Sequence, residues 1–108
     1  MFSNQRYNQK SKGELAKDLM DISADLRLKK MVTYIEDQVL DLLKLDKNQR
    51  KSLDRHFLTV GFDSLLFIEL QVCLQDALGL LIPPESIEQE SIEDLAEFLC
   101  NKVIPKDE

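Results

Sequence analysis

Between Gly61 and Gly79 the chain runs through residues 65–78 without a glycine or proline, and this stretch limits the fold more than any other. Asp63 stands where a helix N-cap is expected, and Gly79 is placed to end the helix that follows. Gly61 can take positive φ or let the backbone approach another group closely. The pattern predicts a glycine-bearing loop feeding one helix, with Ser64 in its first turn. A serine there is exposed on the positive end of a helix beside free backbone N–H groups, a position that suits an esterified phosphate. Taken alone, it reads more readily as an ordinary serine near a helix start.

The faces of this helix separate when it is projected at 100° per residue. Leu66, Phe67, Leu70, Cys73, Leu74 and Ala77 fall on one side, the expected core. The other side carries Ser64, Glu69, Gln71, Gln75 and Asp76, together with Leu65, Ile68 and Val72. Three aliphatic residues among acids next to the serine predict a docking patch made of Leu65, Ile68, Glu69 and Val72.

Gly61-Phe62-Asp63-Ser64-Leu65 followed by a helix resembles the attachment motif of acyl carrier proteins, in particular the carrier domains of modular polyketide synthases and their fatty-acid relatives. The resemblance runs from about residue 28 to residue 99: a long amphipathic helix, a long loop, the serine helix, an Ile82-Pro83-Pro84 turn and a last short helix. It implies that Ser64 carries a 4′-phosphopantetheine arm derived from coenzyme A, whose thiol holds an acyl chain as a thioester. Gly61 and Asp63 belong to the same motif. By that match Asp63 helps to dock the phosphopantetheinyl transferase, and Leu65 lies at the partner surface. Ketosynthase, acyltransferase and other synthase domains are the further partners implied. Peptidyl carriers usually show Gly-Gly-His-Ser or Gly-Gly-Asp-Ser, whereas Gly-Phe-Asp-Ser points to the polyketide type. Where polyketide carriers often have a Pro-Thr pair and a phenylalanine before the last helix, this chain has Glu90-Ser91 and Ile87.

Ser64 has no activating base in the sequence: the one histidine, His56, is eight positions upstream in a loop without an evident orienting carboxylate. No carboxylate dyad, glycine-rich phosphate loop or metal-ligand spacing is present, so a catalytic role is not indicated. His56 reads as a solvated loop residue. Cys73 and Cys100 read as reduced and buried.

The net charge of -6 is unevenly spread. Residues 61–100 hold nine acids and no Lys or Arg, whereas the remaining 11 acids and 14 bases give +3. An acidic half around the serine repels nucleic acid and draws basic protein surfaces. A merely solvated acidic surface would give the same composition. No apolar run is long enough to span a membrane and no signal-peptide core is present, so a cytoplasmic protein is expected.

Four regions are expected along the chain of 108 residues. Residues 1–10 are polar and read as disordered. Residues 11–24 form a linker helix, with Ser11-Lys12-Gly13-Glu14 at capping-box spacing and Leu15, Leu19 and Ile22 at helical steps. This segment resembles the linkers that precede carrier domains in polyketide synthases. Residues 25–104 form the carrier domain, and 105–108 a charged tail. Within the domain, Leu28, Met31, Val32, Ile35, Val39 and Leu42 make the core stripe of a helix capped by Ser23 or Asp25, with Lys29, Lys30, Thr33, Glu36, Asp37 and Asp41 on its other face. That stripe is too short for a coiled-coil seam. From residue 45 to 63 the periodicity fails, and Leu53, Phe57, Leu58, Val60 and Phe62 are the available anchors. Residues 85–89 allow one short turn. Ser91 caps a last helix packed through Ile92, Leu95, Ala96, Leu99 and Val103.

The fold expected is all-α: a small four-helix bundle of the acyl-carrier type, three main helices and one short, with an extra N-terminal helix. The function expected is covalent carriage of polyketide or fatty-acyl intermediates. The competing reading is a non-covalent helical interaction module with no prosthetic group.

Overall fold

Each of the three glycines, Gly13, Gly61 and Gly79, stands at positive φ beside a helix end. The computed structural model describes residues 13–103; the capping role of Ser11, the disorder expected of residues 1–10 and the tail at 105–108 fall outside the described residues. The elements are α1 (Glu14–Met20), α2 (Ala24–Leu42), a 3-10 segment (Lys47–Ser52), α3 (Phe57–Val60), α4 (Ser64–Leu78), α5 (Pro84–Ile87) and α6 (Ile92–Val103). No strand occurs among the described residues, only one antiparallel bridge between His56 and Ser91. The protein is thus all-α, as expected.

The short helix α1 begins after Gly13, whose φ of 77° sets it outside the helix, and it buries Leu15 and Leu19 completely. In α2, Met31, Ile35 and Val39 are buried, with Val32 and Leu42 packed partly against them. Leu28 departs from the expected stripe. It lies in the second turn and is exposed, although Arg27 beside it is tied to the Leu19 carbonyl of α1. Leu40, one position from Val39, is fully buried in its place on a broader apolar face. The stripe packs on α6 and α4 of the same chain, which makes it bundle core.

The segment between α2 and α4 has more structure than its failed periodicity predicts. Asp46 and Gln49 form a reciprocal capping box that starts the 3-10 turn. Arg50 then reaches back to Glu36 and Asp37 on α2, and Arg55 to Glu36 on α2 and Glu93 on α6. Local periodicity cannot reveal these ties, because the charged run is held by pairs far apart in sequence. Leu53, Phe57 and Phe62 anchor the segment, but Leu58 does not: it is 82% exposed on the outer side of the single turn α3.

Pro84 occupies the first turn of α5, where its missing N–H costs nothing, and Ile87 is buried beneath it. Ser91 caps α6, its Oγ accepting from the Asp94 amide at 3.1 Å and its carbonyl from the Leu95 amide at 3.0 Å. Ile92, Leu95, Ala96 and Leu99 are buried, while the side chain of Val103 lies outside the described set.

Candidate functional site

The loop before α4 is built by a left-handed turn stacked on an aromatic floor. The amides of Gly61 and Phe62 both donate to the Phe57 carbonyl, at 3.2 and 2.9 Å, and Gly61 takes φ 106° as α3 ends. A Cβ at Gly61 would meet nothing within 4 Å, so the requirement for glycine there is backbone conformation, not space. The turn reverses the chain so that Phe62 points inward. Phe57, Phe62 and Phe67 then form a closed triangle with ring centroids 5.1 to 5.2 Å apart, in tilted and edge-on pairs.

On this floor Asp63 starts α4. Its carboxylate accepts from the Leu66 amide at 3.0 Å and its carbonyl from the Phe67 amide at 3.0 Å. The two amides at the first helical positions, those of Ser64 and Leu65, are the ones a helix start leaves without an intrahelical acceptor. Ser64 is the first residue of this 15-residue helix and its side chain is exposed. The arrangement suits a phosphodiester on Ser64 Oγ: a free hydroxyl, two open amides and a helix dipole of favourable sign.

The residues expected to form the docking patch lie along α4. Leu65 is 61% exposed, and Ile68 and Val72 are each 51% exposed. Glu69 is also exposed, so the four residues expected to form a patch share an open face. The inward face buries Phe67, Leu70, Leu74 and Ala77, with Leu78 added. Two expected core residues differ. Leu66 is half-buried at the border of the core, and Cys73, which the helical projection places inside, is only half-buried although Leu70 and Leu74 of the same turn are fully buried. Both cysteines are free, and neither is fully buried as expected. Burial, with the Asp76 and Glu69 carboxylates, pushes the Cys73 thiol up from its ordinary value. Burial also leads the upward shift at Cys100. Neither thiol is therefore set up as a nucleophile.

His56 is exposed at the start of α3. Asp54 is closer than expected, its carboxylate 3.9 Å from His56 Nδ1, but this exceeds hydrogen-bond distance, and the same carboxylate accepts from the His56 backbone amide at 2.9 Å. Among the described residues no cluster of His, Cys, Asp or Glu could hold a metal ion. No helix of the described chain is long and apolar enough to cross a membrane.

Two features of the site were not anticipated. One is the aromatic triangle: its members are spaced five apart and belong to three different segments, so no helical or strand period marks them. The other is a cleft of about 420 Å³ between α3 and residues 88–90, lined by His56, Leu58, Thr59 and Phe67 on one side and by Glu88, Gln89 and Glu90 on the other. The Phe57 amide donates to the Glu90 carbonyl at 3.1 Å and the Ile92 amide to the Arg55 carbonyl at 2.9 Å, which ties the two walls together at one end. Phe67 brings the cleft within one turn of Ser64 along α4.

The described residues thus form a small helical bundle with an exposed serine at the capped start of its serine helix. The family of phosphopantetheine attachment site domains matches residues 33–99, more than half of the chain, and the chain belongs to that family. Neither the curated proteins nor the solved structures include a significant match to this chain. Domains of this family are the attachment site for a covalent 4′-phosphopantetheine group and carry acyl thioesters without being catalytic. They are modified by phosphopantetheinyl transferases and interact with synthase enzymes.

Proposed function

We propose that Ser64 is the attachment residue and that the chain is a carrier of the modular polyketide synthase type, handling polyketide or fatty-acyl intermediates in the cytoplasm. The observation that carries this reading is the exposed Ser64 hydroxyl at the first position of α4, inside the matched segment, with Asp63 closing the helix end around it. The bound arm supplies a terminal thiol on which an acyl chain is held as a thioester. The protein supplies the rest. Gly61 and Phe62 set the turn, Asp63 takes the third amide of the helix so that the first two stay open, and the aromatic triangle fixes this end of α4. No side chain is needed to activate Ser64, because the transferase brings that chemistry with coenzyme A.

Leu65, Ile68, Glu69 and Val72 form the surface that transferase, ketosynthase and acyltransferase domains meet in this reading. Apolar contact supplies affinity and the acidic surround supplies encounter rate. The polyketide assignment rests on Gly61-Phe62-Asp63-Ser64. The cleft beside Phe67, walled by Leu58 and Phe67 among polar and acidic residues, opens within one turn of the attachment point.

Intact-protein mass spectrometry after incubation with coenzyme A, magnesium and a broad-specificity phosphopantetheinyl transferase tests the proposal. One added phosphopantetheine is expected, absent in Ser64→Ala. Leu65→Ser and Ile68→Ser are expected to slow the addition by about tenfold or more without abolishing it, a loss of about 1.4 kcal/mol in transition-state binding. No addition to a folded wild-type chain, or addition that persists in Ser64→Ala, would sink the assignment and leave a non-covalent interaction module as the reading to pursue.

A further inference from the structure

The family match begins at residue 33, yet the folded core begins eighteen residues earlier, at Leu15. Leu15 and Leu19 of α1 are both 0% exposed and belong to the same apolar core as Phe67, Leu70 and Leu74 of α4. A seven-residue helix is too short to hold itself together in water, so its stability comes from what it packs on.

Both ends of α1 are fastened. At its start the Gly13 amide donates to the Asp76 carbonyl at 2.7 Å, satisfying an acceptor in the last turn of α4. This contact requires the two backbones to meet. Gly13 and Gly79 are both left-handed, with φ of 77° and 67°, and a Cβ at Gly79 would lie 3.1 Å from the Gly13 Cα and 3.6 Å from its nitrogen. At the other end the Arg27 Nε donates to the Leu19 carbonyl at 2.8 Å, tying the last turn of α1 to α2.

We infer that α1 is a strap belonging to the carrier itself, which clasps the C-terminal end of the serine helix through the Gly13–Gly79 contact and fixes it against α2. The carrier unit of this chain therefore extends from residue 13, not from the start of α2. Gly13 stands at the end of α4 farthest from Ser64, roughly 22 Å away at 1.5 Å per residue. The inference stands whether or not Ser64 bears an arm.

Hydrogen exchange on the full chain, read residue by residue, tests the strap without any substitution. The amides of Gly13 and of Lys17 to Leu19 are expected to be protected within about tenfold of those of Leu70 and Leu74, because α1 opens only when the core does. A companion measurement compares melting temperatures. Leu19→Ala is expected to lower the Tm by roughly 10 °C or more, whereas Met20→Ala, at an exposed neighbouring position on α1, is expected to lower it by less than about 3 °C. Exchange of the α1 amides more than about a hundredfold faster than those of α4 would overturn the strap. So would equal melting temperatures for the two variants.

Discussion

Asp63 does two separable things at the site, since its carboxylate closes the start of α4 and its charge stands beside Ser64. Replacing it with alanine removes the cap and is expected to cost about 1 kcal/mol of stability by thermal or urea unfolding. Asp63→Asn keeps a capping oxygen, so it is expected to stay within about 0.5 kcal/mol of wild type. If a transferase reads the charge, Asp63→Asn will still be modified more slowly, and the two variants together divide cap from recognition. The residues of this loop were legible in the sequence because each works locally. A cap needs a carboxylate at one fixed offset from a helix, and a left-handed turn needs a glycine. The aromatic triangle beneath them was not legible, since three phenylalanines on separate segments meet only after the chain has folded.

At the scale of elements, the ties between segments decide where the serine helix stands. Arg55 joins three of them, through ion pairs to Glu36 of α2 and Glu93 of α6 and a backbone bond to the start of α6. The hydrogen bond from Arg55 leads the causes that hold the Glu93 carboxyl below its usual value. Glu93 is about half exposed, so the pair is screened, and Arg55→Ala is expected to cost only about 1–2 kcal/mol, most of it from the better buried Glu36. The sign of the pH dependence follows from the depressed pKa. Glu93 adds stability above its unfolded value of about 4.3, and that contribution is lost as the pH falls through the lower folded value. The gap in stability between wild type and Arg55→Ala, measured by urea unfolding from pH 7 to pH 3, is therefore expected to narrow on the acid side. A gap that widened below pH 4 would show that the pair is not what ties the segment. Sequence reading gave this stretch as a long loop with apolar anchors. It did not give the 3-10 turn, whose Asp46–Gln49 capping box is local, and it could not place Leu58 outside, because the tertiary packing of α3 decides which of its apolar residues is covered.

Over the whole molecule, the charge is unevenly arranged. Residues 61–100 carry nine acids and no Lys or Arg; all nine are exposed, with Asp63 at the head of α4 beside Ser64, Glu69 and Asp76 along it, and the rest on the chain from residue 85 onward. The second-order rate of modification is accordingly expected to fall several-fold between about 0.02 and 0.3 M salt, where the Debye length shrinks below the span of the patch, while the folded stability changes little. A rate indifferent to salt would mean that the acids are a solvated surface and nothing more. By itself the sequence determined the class of the fold, the limits of the long helices, the serine at the head of α4 and the uneven charge, since periodicity, caps and composition act over a few residues and survive without a partner. Only the tertiary structure decided that Leu28 and Leu58 face water, that Cys73 is only half-buried, that the two walls of the cleft meet, and that α1 is bound into the core. Those outcomes depend on contacts between residues tens of positions apart, whose geometry exists only once the helices have packed.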